Sequence, residues 1–155
     1  MAPLILATSD SDFKGDRQSM LMIGSLQKRW FMVQKQLSIR DIVDGCSLEV
    51  LVGKEYLSRP VAGIIASDLM SDVLAFSNSE SLLVTALPNI QSVVTANIAD
   101  AVCVLYTRGK RPDQMTLQRA AMFEIPLLST TEDTFTICCW LSNLGFACKP
   151  PRKPQ

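Results

Sequence analysis

Three near-continuous apolar runs in the second half of the chain, Leu82–Leu87, Ala101–Tyr106 and Ile125–Leu128, are each followed within a few residues by a helix-opening signal. Strands without polar alternation are expected where helices cover both faces of a sheet, and parallel strands need a helical crossover between them. The repeated order of strand, cap and helix predicts an α/β domain of three layers around a mostly parallel central sheet. Pro88 with Asn89 opens a helix toward Ile98, and Pro112 with Asp113 opens one that ends near Phe123. Thr130 or Thr131 caps a third helix from Glu132 to Asn143, which Gly145 stops.

Upstream the same punctuation continues. Ser38 is placed to cap a short helix that ends at Gly45, with Asp41 three residues on. Leu48–Val52 reads as a strand closed by Gly53, and Val61–Ala66 as another, after which Ser67 or Asp68 caps a helix toward Phe76. Earlier still, Leu4–Thr8 reads as a short strand and Ser19–Gln36 as a helix that places Lys28, Arg29 and Lys35 beside Trp30 and Phe31. These first 36 residues read as an N-terminal extension, 37–148 as the domain proper, and 149–155, with three prolines, as a flexible tail.

Charge and composition remove several classes of function. With 15 basic and 15 acidic residues in 155, the formal net charge is zero, which supplies no bulk attraction to nucleic acid or to an anionic membrane. The chain has no histidine, so a Ser/His/Asp or Cys/His triad and any histidine-ligated metal site are excluded. Cys46, Cys103, Cys138, Cys139 and Cys148 show no CxxC spacing and read as reduced, mostly buried small hydrophobes. No apolar run approaches the roughly 20 residues of a membrane span, and Pro3–Ala7 is too short for a signal core. A cytoplasmic protein without a membrane span or a nucleic-acid partner is expected.

In open α/β sheets, small ligands occupy the crevice beyond the carboxyl ends of the strands. Polar residues stand ready at four such ends: Ser67 and Asp68; Thr85 with Asn89; Thr107, Arg108, Lys110 and Arg111; and Ser129 with Thr130. Hydroxyls and helix N-termini suit phosphate oxygens, and an arginine can grip one bidentately. Charge supports this placement: eight acidic and two basic residues lie between Asp41 and Thr107, and then Arg108, Lys110 and Arg111 come together in one loop. A compact anionic ligand is therefore expected there. Each residue also has a plain structural role open to it, as a helix cap or a solvated loop charge. Asp68 and Asp72, four apart, are too few for a metal motif. Neither a Walker A loop nor a GxGxxG fingerprint occurs, and no cofactor or metal is expected.

Three blocks carry a resemblance to a known family: Arg59–Gly63, the segment SDLMSDVLAF from Ser67 to Phe76, and RGKRPDQMTLQRAAMFEIPLLST from Arg108 to Thr130. From Leu37 to Phe146 the chain resembles the DRTGG domain family, similar in fold to the N-terminal domain of HPr kinase/phosphorylase. In the name-giving motif, Arg59 and Gly63 remain, whereas Ser58, Ala62 and Ile64 replace its Asp, Thr and second Gly. The resemblance implies a three-layer domain, a homodimer, and a regulatory or ligand-sensing role.

Two functions from different classes follow. One is a regulatory domain that self-associates and binds a nucleotide or another phosphorylated metabolite. The other is a structural adaptor that docks a partner enzyme through the helix of residues 18–36, with Trp30 and Phe31 at the contact. No nucleophile-plus-base constellation is visible, so a non-catalytic protein is expected rather than an enzyme.

Overall fold

In the computed structural model, which describes residues 36–146, Ser38 begins the first helix, α1 (Ile39–Gly45), as expected. Its hydroxyl accepts from the Asp41 amide, and the Asp41 carboxylate accepts from the Ser38 amide, a reciprocal capping box. The strand read over Leu4–Thr8, the helix read over Ser19–Gln36 up to Lys35, Cys148 and the proline-rich tail all lie outside the described residues.

Strand β1 (Glu49–Val52) and a short 3-10 turn (Lys54–Tyr56) lead into β2 (Gly63–Ala66). The remaining elements are α2 (Met70–Phe76), β3 (Ser81–Thr85), α3 (Ile90–Ile98), β4 (Cys103–Tyr106), α4 (Gln114–Met122), β5 (Leu127–Ser129) and α5 (Thr134–Leu144). The sheet runs β1-β5-β4-β3-β2. Strands β2 to β5 are mutually parallel, and β1 closes one edge antiparallel to β5. The fold is α/β, with a five-stranded, mostly parallel sheet.

Alternate residues of each central strand are buried on opposite faces. Leu82, Val84, Cys103, Leu105 and Leu128 pack with Ile39 and Ile42 of α1 and with Ile137 and Leu141 of α5. Leu83, Val104, Tyr106 and Leu127 pack with Val73 of α2, Val93 and Ala96 of α3, and Ala120 of α4. Both faces being apolar is why these strands read as unbroken hydrophobic runs.

Several boundaries move from those expected, for local reasons. Strand β5 begins two residues after the expected Ile125, because the Ile125 amide closes α4 by donating to the Ala120 carbonyl and Pro126 has no N–H for the ladder. Strand β3 ends at Thr85 rather than Leu87, since the Ala86 amide is diverted to the Asp68 carboxylate. The cap of α5 is Asp133, not Thr130 or Thr131, and that of α2 is Leu69, with no side-chain bond, not Ser67 or Asp68. Of the cysteines, Cys46 and Cys103 are buried as expected, and burial raises the pKa of both thiols, while Cys139 is exposed.

Candidate functional site

Because β2 to β5 are parallel and in register, their carboxyl ends lie side by side. Ala66 pairs with Val84, Thr85 with Tyr106, and Tyr106 with Ser129. The ladder continues into the loops, where the amides of Ser67, Thr107 and Thr130 donate to the carbonyls of Val84, Thr85 and Tyr106. The polar loops expected at four strand ends therefore share one edge of the sheet.

A common device closes three of these ends. Ser67 Oγ, Thr85 Oγ1 and Thr130 Oγ1 each accept from the amide two residues on, at 3.1, 3.3 and 3.2 Å. Such hydroxyl turns use the same chemistry as a helix cap but turn the chain one step earlier. The Thr85 hydroxyl, fully buried, also donates to Asp68 Oδ1 at 2.7 Å, and the Ala86 amide donates to the same oxygen at 2.7 Å. Asp68 thus ties the loop after β2 to the loop after β3.

The loop after β4 is tied to the loop after β5. Arg108 (φ 62°) and Gly109 (φ 65°) are both left-handed. Their amides donate to the carbonyls of Glu132 and Thr130 at 2.7 Å each, and Ser129 Oγ donates to the Lys110 carbonyl. The buried Thr107 hydroxyl meets that of Thr134 at 3.1 Å. The amides of Thr107, Arg108, Gly109 and Lys110 are all used within the protein, so what this part of the loop offers outward is side chains. Arg108 and Lys110 are exposed, and neither makes an ion pair or a side-chain hydrogen bond among the described residues.

The other expected residues take different places. Arg111 pairs with Glu49 of β1 and lines a depression of about 240 Å³ with Val50, Leu51, Pro112 and Leu117, beside the edge strand. Asn89 caps α3, accepting from the Ser92 amide at 3.1 Å. Arg59 lies at the opposite, amino-terminal end of the parallel strands. There its guanidinium stacks over Tyr56 and donates to the Glu124 carbonyl and carboxylate, joining two of the sequence blocks that carry the family resemblance. Gly63 opens β2, and an added Cβ there would make only an ordinary 3.7 Å contact with Ser81 Oγ. Asp133 was not singled out from the sequence as a site residue, although an acid just before the first helical turn is a capping signal.

Electrostatics in this region favour ionised carboxylates. Asp68 titrates below its ordinary value, chiefly because of the Ala86 amide, with help from the Thr85 hydroxyl and the charges of Lys110 and Arg108. Asp133 is also lowered, by the Thr136 amide first and by its hydroxyl, the Phe135 amide and Arg108 in turn. Below the usual aspartate value of 3.8 the unfolded chain takes up protons at these positions before the folded chain does. Their stabilisation is complete above that pH and is lost as the pH falls through the lower folded values. With no histidine in the chain, no side chain of ordinary pKa titrates between about pH 5 and 7. The melting temperature is expected to be level across that range and to fall below about pH 4. A melting temperature that holds or rises on acidification from pH 4 to about 2.5 would contradict this account of the two aspartates.

Comparison with known families agrees with this architecture. A model of the DRTGG domain matches residues 41–144. The chain belongs to the DRTGG domain family. Among solved structures, this DRTGG domain is similar to the CBS and DRTGG domains of the regulatory region of Clostridium perfringens pyrophosphatase, which was crystallised with its activator, diadenosine tetraphosphate. The TM-score is 0.58 at 13% sequence identity, and the likeness covers 79% of this chain and 56% of that one. The shared feature at that identity is the fold, over little more than half of the neighbour's length. No curated protein matches the chain.

Proposed function

We propose that this DRTGG domain is a regulatory, ligand-sensing module that binds a nucleotide or another phosphorylated metabolite at the carboxyl edge of its sheet. The observation that carries the reading is the pair Arg108 and Lys110. Both are exposed and without a direct partner among the described residues, on a loop fastened to its neighbour at the converged strand ends. Left-handed backbone at Arg108 is an uncommon choice for a non-glycine residue, and it sets the direction in which this side chain leaves the main chain. The pyrophosphatase regulatory region, whose CBS and DRTGG domains together were crystallised with a phosphorylated activator, supports a ligand of that class. Self-association, a cytoplasmic setting and a domain spanning 37–148 belong to the same proposal. The adaptor alternative depends on residues 18–35, which lie outside the described residues.

The test is calorimetry with AMP, ATP and diadenosine tetraphosphate on the intact chain and on the Arg108→Gly, Lys110→Gln variant. Glycine suits the left-handed backbone, so the fold should keep its stability to within about 1 kcal/mol. Each lost charged hydrogen bond is worth about 1.5 to 3 kcal/mol, so affinity should fall by at least about tenfold. Absence of binding across the panel, or equal binding by the variant, would overturn the reading.

A further inference from the structure

Asp68 sits in a site otherwise suited to anions, and its geometry bears on what kind of anion fits. One carboxylate oxygen, Oδ1, takes both of the bonds that join the β2 and β3 loops. The other, Oδ2, accepts no hydrogen bond from any described residue, and the side chain is exposed. The two bonds at Oδ1 restrain the carboxylate, and Oδ2 of this exposed side chain is left to take a donor other than those of the described residues. Thr85, which holds Asp68, is also the residue whose carbonyl receives the Thr107 amide, so Asp68 and the Arg108–Lys110 loop flank the same pair of strand ends.

A free carboxylate oxygen repels a bare phosphate. Arg108 is also within electrostatic reach of Asp133, so the two bases of the site are balanced by two acids. A simple multivalent anion therefore gains little net charge attraction here, and selectivity falls to directional bonding. A ligand with an anionic group at one end and hydrogen-bond donors at the other satisfies both halves. The general pairing of a carboxylate with a ribose diol has this form.

We infer that the ligand is of the ribonucleoside phosphate class, with its phosphate on Arg108 and Lys110 and its ribose hydroxyls donating to Oδ2 of Asp68. The inference rests on the ligand-binding reading above and narrows it.

Calorimetry on the full chain with AMP, 2′,3′-dideoxy-AMP and inorganic pyrophosphate separates the two. AMP is expected to bind at least about tenfold more tightly than either of the others, because an unmatched buried or fixed polar group discriminates strongly against an analogue lacking its partner. In Asp68→Asn the amide oxygen can still accept from Thr85 and Ala86, so the loops stay joined. The preference for AMP over the dideoxy analogue should then shrink by about tenfold, with pyrophosphate binding unchanged or tighter. Equal affinity of the wild-type chain for AMP and its dideoxy analogue overturns the inference without reference to any variant. If all three bind equally and the Arg108→Gly, Lys110→Gln variant binds none, the broader reading stands and this one falls. No binding of any of the three overturns this inference, and the broader reading falls with it only if ATP and diadenosine tetraphosphate also fail to bind.

Discussion

Leu105→Ala is expected to lower the stability of the domain by about 2 to 5 kcal/mol, and Val104→Ala, its neighbour on the same strand, by about 2 kcal/mol. Both side chains are fully buried, but in different cores. Leu105 faces α1 and α5, where Ile137 and Leu141 are held against it, and Val104 faces the layer of α2, α3 and α4. Truncating either removes apolar surface from a packed layer and leaves a cavity that the rigid central strand cannot close, since β4 is paired on both sides. Urea denaturation should show a lower midpoint with an unchanged slope for each variant. As a reference, Phe135→Ala alters a side chain that is 78% exposed and should change stability by no more than about 0.5 kcal/mol. If either core substitution cost less than about 1 kcal/mol, the sheet would be covered on one face only, and the three-layer description would be wrong.

That double-sided burial was the part of the fold most legible in the amino-acid sequence. A run such as Cys103–Tyr106 has no polar position to spare because neither of its faces meets water. The cap at Ser38 was equally readable, being an oxygen-bearing residue directly before a helical segment, whereas Asn89 and Asp113, read with Pro88 and Pro112 as the openings of their helices, are the caps themselves. Ser67 and Thr130 misled for a physical reason. Their hydroxyls do accept a backbone amide, as a cap would, but the amide belongs to a turn that ends the strand, and the helices begin three and four residues after Ser67 and Thr130. Pro126 displaced the start of β5 in a comparable way, through the missing amide.

The candidate site was readable in its ingredients and not in its assembly. The basic loop is contiguous in sequence, so Arg108 and Lys110 could be found there. The ion pair that draws Arg111 aside to Glu49 spans 62 residues and depends on β1 joining the sheet beside β5. Strand order likewise decides that Asp68 reaches Thr85, and nothing local to either residue encodes that neighbourhood. Arg59 shows the reverse case: a residue legible through the family motif whose observed bonds, to Glu124 and over Tyr56, belong to the far end of the sheet.

Gly53→Ala is expected to destabilise the domain by about 2 to 4 kcal/mol, through two effects that other glycines separate. Gly53 has φ 82° and ψ 33°, a left-handed conformation in which a Cβ crowds the following carbonyl. An added Cβ would also lie 2.8 Å from Cα of Pro126, a backbone atom. Pro126 has little freedom to retreat, because its carbonyl accepts from the Val104 amide at 3.0 Å and so is fastened to the central strand. Relief would have to come from moving the entry of β5 or the end of β1, the antiparallel pair at the sheet edge. Gly109 shares the left-handed backbone, at φ 65°, but an added Cβ there meets nothing within 4 Å, so Gly109→Ala should cost only the conformational part, about 1 kcal/mol. Gly63→Ala meets only the 3.7 Å contact and should be neutral or slightly stabilising, since alanine restricts the unfolded chain more than glycine does. The difference between the Gly53 and Gly109 variants measures the close approach of β1 to the start of β5. Equal losses at the two positions would mean that the chain leaving β1 does not run against Pro126, and that the antiparallel edge of the sheet is seated differently.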